Sequence, residues 1–237
     1  MRLDRFLSNL PQGSRKQARH WLIAKQVRVD GQVVTDPLHP VTPFSHIKLE
    51  NQLLQSRQPR YFMLNKPPGY LSATTDPEHP TALQLLDEPE HEQLHIAGRL
   101  DRNSSGLLLI TDDGRWSRSL TEPDKRIAKV YLVETEDPIH PDTAQRFAEG
   151  IYFGYEDITT KPVQLEQLDA RLVRLTLYEG RYHQIKRMFG RFRNKVVALH
   201  RESVGAITLD SMLAPGEYRS LTTREIVSTA VVAGEAG

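Results

Sequence analysis

The sequence predicts an α+β protein in two units. A small helix-plus-hairpin module precedes a larger domain with a mixed, mainly antiparallel sheet flanked by helices. Three observations carry this expectation. The chain has 237 residues, and at about 100–200 residues per domain that leaves room for one or two. Residues 51–58 are polar, follow no clear period and run into Pro59, as a linker would. Beyond them, short apolar runs succeed one another without the crossover helices that an all-parallel sheet requires. The units are therefore placed at residues 1–49 and 59–237, with 50–58 as the linker between them.

Composition narrows the class further. Hydrophobic residues make up 38% and charged residues 26%, a balance that fits neither a disordered chain nor a fibrous repeat. The absence of cysteine excludes disulfides, Cys-ligated metals and a thiol nucleophile. No apolar window approaches the ~18 residues of a membrane span. Asp4 also sits where a signal peptide needs its apolar run. A cytoplasmic location is expected.

In the first module, Ser14 is placed to cap a helix running through Lys25, with Ala18, Trp21 and Leu22 on one face and Arg15, Lys16 and Arg19 off it. Residues 27–33 read as strand, Asp30-Gly31 turn and return strand, and residues 41–49 as a third extended piece. In the larger domain, the apolar runs 60–65 and 106–111 are closed by Lys66-Pro67-Pro68-Gly69 and Asp112-Asp113-Gly114, so both read as buried strands. Residues 129–134, 163–168 and 170–178 add strands, and residues 142–150 and the segment after Tyr182 add helices. Thr222 and Glu225 form the capping-box pattern of a last helix.

Charge is unevenly spread. Residues 1–31 carry seven basic side chains, Arg2, Arg5, Arg15, Lys16, Arg19, Lys25 and Arg28, against Asp4 and Asp30. Residues 181–201 carry seven more, among them Arg181, Lys186, Arg187 and Arg201, and no acid, although the whole chain is only +1. Two basic islands on an acidic background suggest a polyanion held at two places; solvated helix faces are the plain alternative.

Four segments could carry chemistry. His91-Glu92-Gln93-Leu94-His95 matches a zinc signature that needs both imidazoles on one helical face. Its acidic, proline-broken approach argues for a polar loop instead, and no metal is expected. In Gly98-Arg99-Leu100-Asp101 the alternation of an extended chain puts Arg99 and Asp101 on one side and Leu100 on the other. Such a pair is either a structural salt bridge or, in a cleft, a carboxylate kept ionised for work as nucleophile or base. In residues 180–189, Ile185, Met188 and Phe189 form a buried stripe, leaving Lys186 and Arg187 free to reach phosphate or a carboxylate such as Asp101. Tyr131 shares a strand face with Lys129, where it can stack on an unpaired base or pack in the core.

Taken together these motifs resemble the RsuA-type family of ribosomal RNA pseudouridine synthases. Arg2-Leu3-Asp4-Arg5-Phe6-Leu7, Ser14-Arg15 and Val29-Asp30-Gly31 look like its S4 RNA-binding domain. Asn65-Lys66-Pro67, Gly98-Arg99-Leu100-Asp101 with Ser105-Gly106-Leu107, Lys129-x-Tyr131 and residues 180–188 look like its catalytic motifs. The resemblance implies the pseudouridine synthase fold, isomerisation of a flipped-out uridine, and no cofactor, metal or membrane. It makes Asp101 the catalytic aspartate and Tyr131 the residue that stacks on the uracil. Lys186 becomes the basic partner of that aspartate, with its neighbour Arg187 as the alternative, and Arg99 the side chain that helps to extrude the nucleotide. The basic side chains of the first island, with Lys66, Arg181 and Arg187, are the implied RNA contacts. Residues 60–66, Trp116-Ser117 and 213–219 look more like the small-subunit enzyme, so the implied partner is 16S rRNA or a small-subunit assembly intermediate, modified at uridine 516 by a monomer. A 23S rRNA uridine, or a non-catalytic ribosome-assembly role, are the alternatives.

Overall fold

The computed structural model describes residues 1–231; residues 232–237, the end of the expected span 59–237, lie outside the described residues. The chain divides into a compact unit of residues 1–59 and a second that begins at Arg60.

The first unit contains α1 (Leu3–Ser8) and α2 (Arg15–Ile23), followed by a sheet of β1 (Val27–Val29), β2 (Gln32–Val33), β3 (Ile47–Leu49) and β4 (Gln52–Gln55) in the order β2-β1-β3-β4. Ser14 caps α2 by accepting from the Gln17 N–H at 3.1 Å, satisfying one of the helix's free donors. Ala18, Trp21 and Leu22 pack with Leu3, Leu7, Val27 and Ile47 into this unit's core. Three expectations change here. The helix stops at Ile23 instead of Lys25, which adopts a left-handed φ of 57° as the chain turns into β1. Within residues 41–49 only Ile47–Leu49 is strand. Residues 52–55, assigned to a linker, are β4, paired antiparallel with β3. The polar residues around Leu53 and Leu54 hid a short edge strand whose hydrogen bonds are made by backbone, which composition does not report.

The second unit is built on one sheet. Its elements are β5 (Tyr61–Lys66), β6 (His95–Ala97), β7 (Ser105–Thr111), α3 (Gly114–Thr121), β8 (Lys129–Thr135), α4 (Thr143–Glu149), β9 (Tyr152–Phe153), β10 (Ile158–Thr159), β11 (Gln164–Gln167), β12 (Leu172–Leu177), α5 (Gln184–Gly190), β13 (Val196–Val204), β14 (Ile207–Thr208), β15 (Tyr218–Ser220) and α6 (Thr223–Val231). Strands β9 and β10 pair as a separate hairpin. The main sheet runs β11-β12-β8-β13-β7-β5-β15, with β14 beside β13 and β6 beside β7. Its pairings are antiparallel except for the parallel contact of β13 with β7. The mixed, mainly antiparallel sheet is as expected.

Strand β7 explains the two-sided core. Leu108 and Ile110 face a cluster containing Leu64, Val133, Leu175 and Phe189, while Leu107 and Leu109 face another with Met63, Trp116 and Leu120. A strand buried on both faces reads as a continuous apolar run, as Leu107-Leu108-Leu109-Ile110 does. Strand β13 gives no such signal, because its centre is His200-Arg201-Glu202. The helix α3, capped by Asp113 through the N–H groups of Arg115 and Trp116, was likewise hidden behind what reads as a turn. Thr222 and Glu225 cap α6 reciprocally, as their spacing predicts. Among the described residues no helix is long and apolar enough to cross a membrane.

Candidate active site

Residues 98–104 join β6 to β7, and one edge of β7 is shared. Strand β6 pairs with its far end, Leu109–Thr111, and β13 with its beginning at Ser105 and Gly106. The connecting loop therefore lies where one neighbour gives way to another. Close approach of β13 depends on Gly106, whose φ is +100° and where a Cβ would lie 2.4 Å from the Arg201 carbonyl oxygen.

Two buried cations hold this loop by its backbone. Arg201 on β13, only 1% exposed, donates from Nε to the Leu107 carbonyl at 2.8 Å, and from its two Nη atoms to the carbonyls of Gly98 at 2.9 Å and Arg99 at 3.4 Å. Lys66, at the end of β5 and fully buried, donates from Nζ to the carbonyls of Pro67, Arg102 and Ser104 at 2.9, 3.1 and 2.7 Å. Burial draws the Lys66 ammonium down to about 8, against the opposing pull of Asp101. Ser72 adds a third anchor: its hydroxyl donates to the Leu100 carbonyl at 2.8 Å and accepts the Leu100 N–H at 3.0 Å. Leu100 itself is buried, as the alternation predicts.

So anchored, the loop presents Asp101 to a cleft of about 970 Å³. Lys186 Nζ lies 3.1 Å from Asp101 Oδ2, and His183 Nε2 lies 3.5 Å from Oδ1. Lys186 can reach because Ile185, Met188 and Phe189 bury the opposite face of α5. Gln184, buried at the start of α5, donates to Glu179 at 2.8 Å and accepts the Arg181 N–H at 3.0 Å, which fixes the approach to the helix. His183 precedes it with a φ of +47°, and Tyr182 stacks on the His183 ring at 3.9 Å. Tyr131 and Lys129 line the same cleft from β8, as do Arg99 and Arg181.

Asp101, Lys186, Tyr131, Arg99 and Arg181 thus come together, but several expected roles change. Arg99 is exposed and forms no ion pair with Asp101; the groups beside that carboxylate, His183 and Lys186, come from the start of α5, over eighty residues later. Lys66 is no RNA contact, because three carbonyls enclose its ammonium beneath the surface. Arg187 does not meet Asp101. It pairs with both Glu156 carboxylate oxygens at 2.6 Å and lies 3.7 Å above the Phe153 ring.

The second basic island is also largely neutralised. Besides Arg187 with Glu156, Arg181 pairs with Glu179 at 3.1 Å, Lys195 with Glu136 at 3.8 Å and Lys186 with Asp101, while Arg201 is buried. Those acids lie outside the basic run, so a local charge count overstated its appetite for a polyanion. In the first unit, by contrast, Arg5, Arg15, Lys16, Arg19, Lys25 and Arg28 are exposed, whereas Arg2 pairs with Asp4. The zinc-like pattern is split: His91 is in a 3₁₀ turn and His95 in β6, where its Nε2 meets the Ser117 hydroxyl at 2.9 Å. Arg201, His183 and Ser72 were not singled out by sequence; the glycines at 98 and 106 were the nearest signal for the first.

Residues 60–190 match the family described as RNA pseudouridylate synthase. The chain belongs to that family. In the synthase, residues 1–47 additionally match the S4 domain, so the RsuA-type arrangement expected from the motifs is present. Over 229 residues, 96% of its length, the synthase is 55% identical to the ribosomal small subunit pseudouridine synthase A of Pseudomonas aeruginosa, covering 100% of that protein. It is 52% identical to the protein of that name from Yersinia pestis and 49% to that of Escherichia coli (strain K12), covering 97% and 99% of them. A crystal structure of a pseudouridylate synthase, 41% identical, superimposes with a TM-score of 0.71 over 97% of this chain and 99% of that one. The synthase is accordingly an isomerase with an S4 module ahead of its catalytic fold.

Proposed function

We propose that the synthase isomerises a uridine of small-subunit ribosomal RNA, the one conventionally numbered 516 in 16S rRNA, with Asp101 acting at the sugar. The observation that carries this reading is the Asp101 carboxylate, held 3.1 Å from Lys186 in a cleft that Tyr131 also lines. The small-subunit target follows the names of the full-length relatives.

The reaction breaks the N1–C1′ bond, turns the uracil and joins C5 to C1′, with loss of the C5 proton and gain of one at N1. Asp101 either bonds to C1′ or removes the 2′-proton to give a glycal. Both routes use the carboxylate as its anion, whose charge Lys186 meets at 3.1 Å. Unstacking the uridine costs a few kcal/mol. Stacking on Tyr131 offsets about 1–3 kcal/mol of that, and in this reading Arg99, exposed at the cleft, occupies the vacated stack. Pseudouridine mapping of rRNA from cells lacking the gene, with and without its return, tests the target. The expected result is loss and recovery of one mark, at 16S position 516; a mark that persists, or one lost from large-subunit RNA, overturns it.

The exposed basic face of α2 supports the S4 module as the electrostatic handle. Replacing Arg15, Lys16 and Arg19 together by Gln is expected to flatten the log–log salt dependence of RNA affinity by about 2–3, given ~0.7–0.9 per phosphate contact. An unchanged slope in a salt titration would remove α2 from the interface.

A further inference from the structure

Lys129 is a charged group in the cleft that the scheme above leaves unused. It opens β8, lines the same cleft as Asp101 and Tyr131, and has no carboxylate at ion-pair distance among the described residues. Its one acceptor there is the Ile127 carbonyl at 3.3 Å, long for a bond made by an ammonium. Burial, and then the like charge of Arg201, draw the Lys129 ammonium down to about 8. An ammonium has three donors, so two are left without a protein acceptor among the described residues. Keeping them there is unfavourable unless something arrives to accept them. Lys66 shows the contrast: the same group, fully buried where Lys129 is half-buried, is met by three carbonyls.

Tyr131 lies two residues along the same strand face, about 6.5–7 Å away by strand geometry. A uracil stacked on the Tyr131 ring brings its carbonyl edge within the sweep of the Lys129 side chain. We propose that Lys129 is a further catalytic residue, donating a hydrogen bond to a carbonyl oxygen of the extruded uracil and stabilising the negative charge the ring carries while detached from the sugar. This rests on the reading of the Asp101 cleft as the reaction site. When N1–C1′ breaks, the bonding pair passes to the ring and spreads over N1, O2 and O4, while C1′ is taken up by the Asp101 carboxylate or freed by loss of the 2′-proton. Lys129 keeps its proton throughout. Formation of the C5–C1′ bond, as the Asp101–C1′ bond breaks or the 2′-proton is handed back from Asp101 to the glycal, returns the ring to neutrality, after which C5 loses its proton and N1 gains one. The leaving group is the one new anion the reaction creates, and Lys129, two residues from Tyr131 on the same strand face, is a cation in the cleft with donors to spare.

The test uses the full chain and 16S rRNA transcribed with 5-tritiated uridine. Lys129→Met should slow single-turnover tritium release about 100-fold, within the range for loss of one charge-stabilising donor, while RNA affinity changes less than about threefold because ground-state contacts remain. Lys129→Ala should be slow as well, and ethylammonium added to the buffer should restore its rate in proportion to concentration, which a purely structural lysine would not allow. A wild-type rate in Lys129→Met, or an Ala variant indifferent to the amine, overturns the proposal. Asp101→Asn run alongside separates the two readings: its inactivity beside a normal Lys129→Met rejects the lysine alone, whereas its survival rejects the cleft.

Discussion

Asp101→Asn is expected to abolish tritium release from 5-tritiated uridine, by at least about 10⁴-fold, as removal of a nucleophile or its equivalent does, while leaving RNA affinity and thermal stability near those of the parent. The amide keeps the shape of the carboxylate but cannot bond covalently to C1′ and return, nor accept the 2′-proton. Lys186 Nζ at 3.1 Å loses its ionic partner in this variant and His183 Nε2 at 3.5 Å its carboxylate neighbour, yet both are partly exposed and can be hydrated, so the fold should tolerate the change. The same assay ranks the neighbouring cations. Lys186→Met should lose about 10²–10³-fold, as expected when a preorganised charge is removed. Arg187→Gln should act mainly on the β9–β10 hairpin, where Glu156 and Phe153 hold the guanidinium, and show as a lower Tm with a much smaller effect on turnover. Measurable turnover by Asp101→Asn would place the chemistry on another group.

Arg201→Met is expected to destabilise the second unit by about 3–5 kcal/mol, since each carbonyl left buried without a donor costs about 1–3 kcal/mol. Three carbonyls depend on it, those of Leu107, Gly98 and Arg99, and the side chain that serves them is only 1% exposed. For a unit of this size that corresponds to a fall in Tm of about 10 °C. Activity should fall in parallel below the melting range, because the loop that carries Asp101 loses one of its two cationic anchors. Arg201→Lys retains the charge but gives up the fork that reaches three acceptors at once, so it should lie between the two. A variant Arg201→Met that melts within a degree or two of the parent would show that the guanidinium is not what holds the loop.

Much of this molecule was legible in sequence because the signals concerned are local. The stripe of Ala18, Trp21 and Leu22, the caps at Ser14 and Thr222, the Asp30-Gly31 hairpin turn and the apolar run through β7 each depend on neighbours within a few residues. Backbone sterics and side-chain period decide such features, and they survived folding unchanged. The catalytic motifs were legible for another reason: their residue types and order resemble a known family, and the match over residues 60–190 bears that out. Strand β13 was not, since a strand that places a guanidinium in the core breaks the alternation by which strands are recognised.

By itself the sequence determined most of the helices and strands, though not α3, β4 or β13, that two units succeed one another, and which side chains are chemically able to serve a uridine isomerase. Tertiary structure alone decided the partnerships. It gave Asp101 to Lys186 and His183 instead of Arg99, sent Arg187 to Glu156, enclosed Lys66 and Arg201 among carbonyls, and met the second basic island with acids from Glu136, Glu156 and Glu179. The physical reason is that charge interactions fall off with distance in space and are sharpened by burial, and neither quantity can be read along the chain. Lys66 and Arg201 are written as surface residues and act as interior ones because a carbonyl, unlike a carboxylate, leaves no mark in the amino-acid sequence.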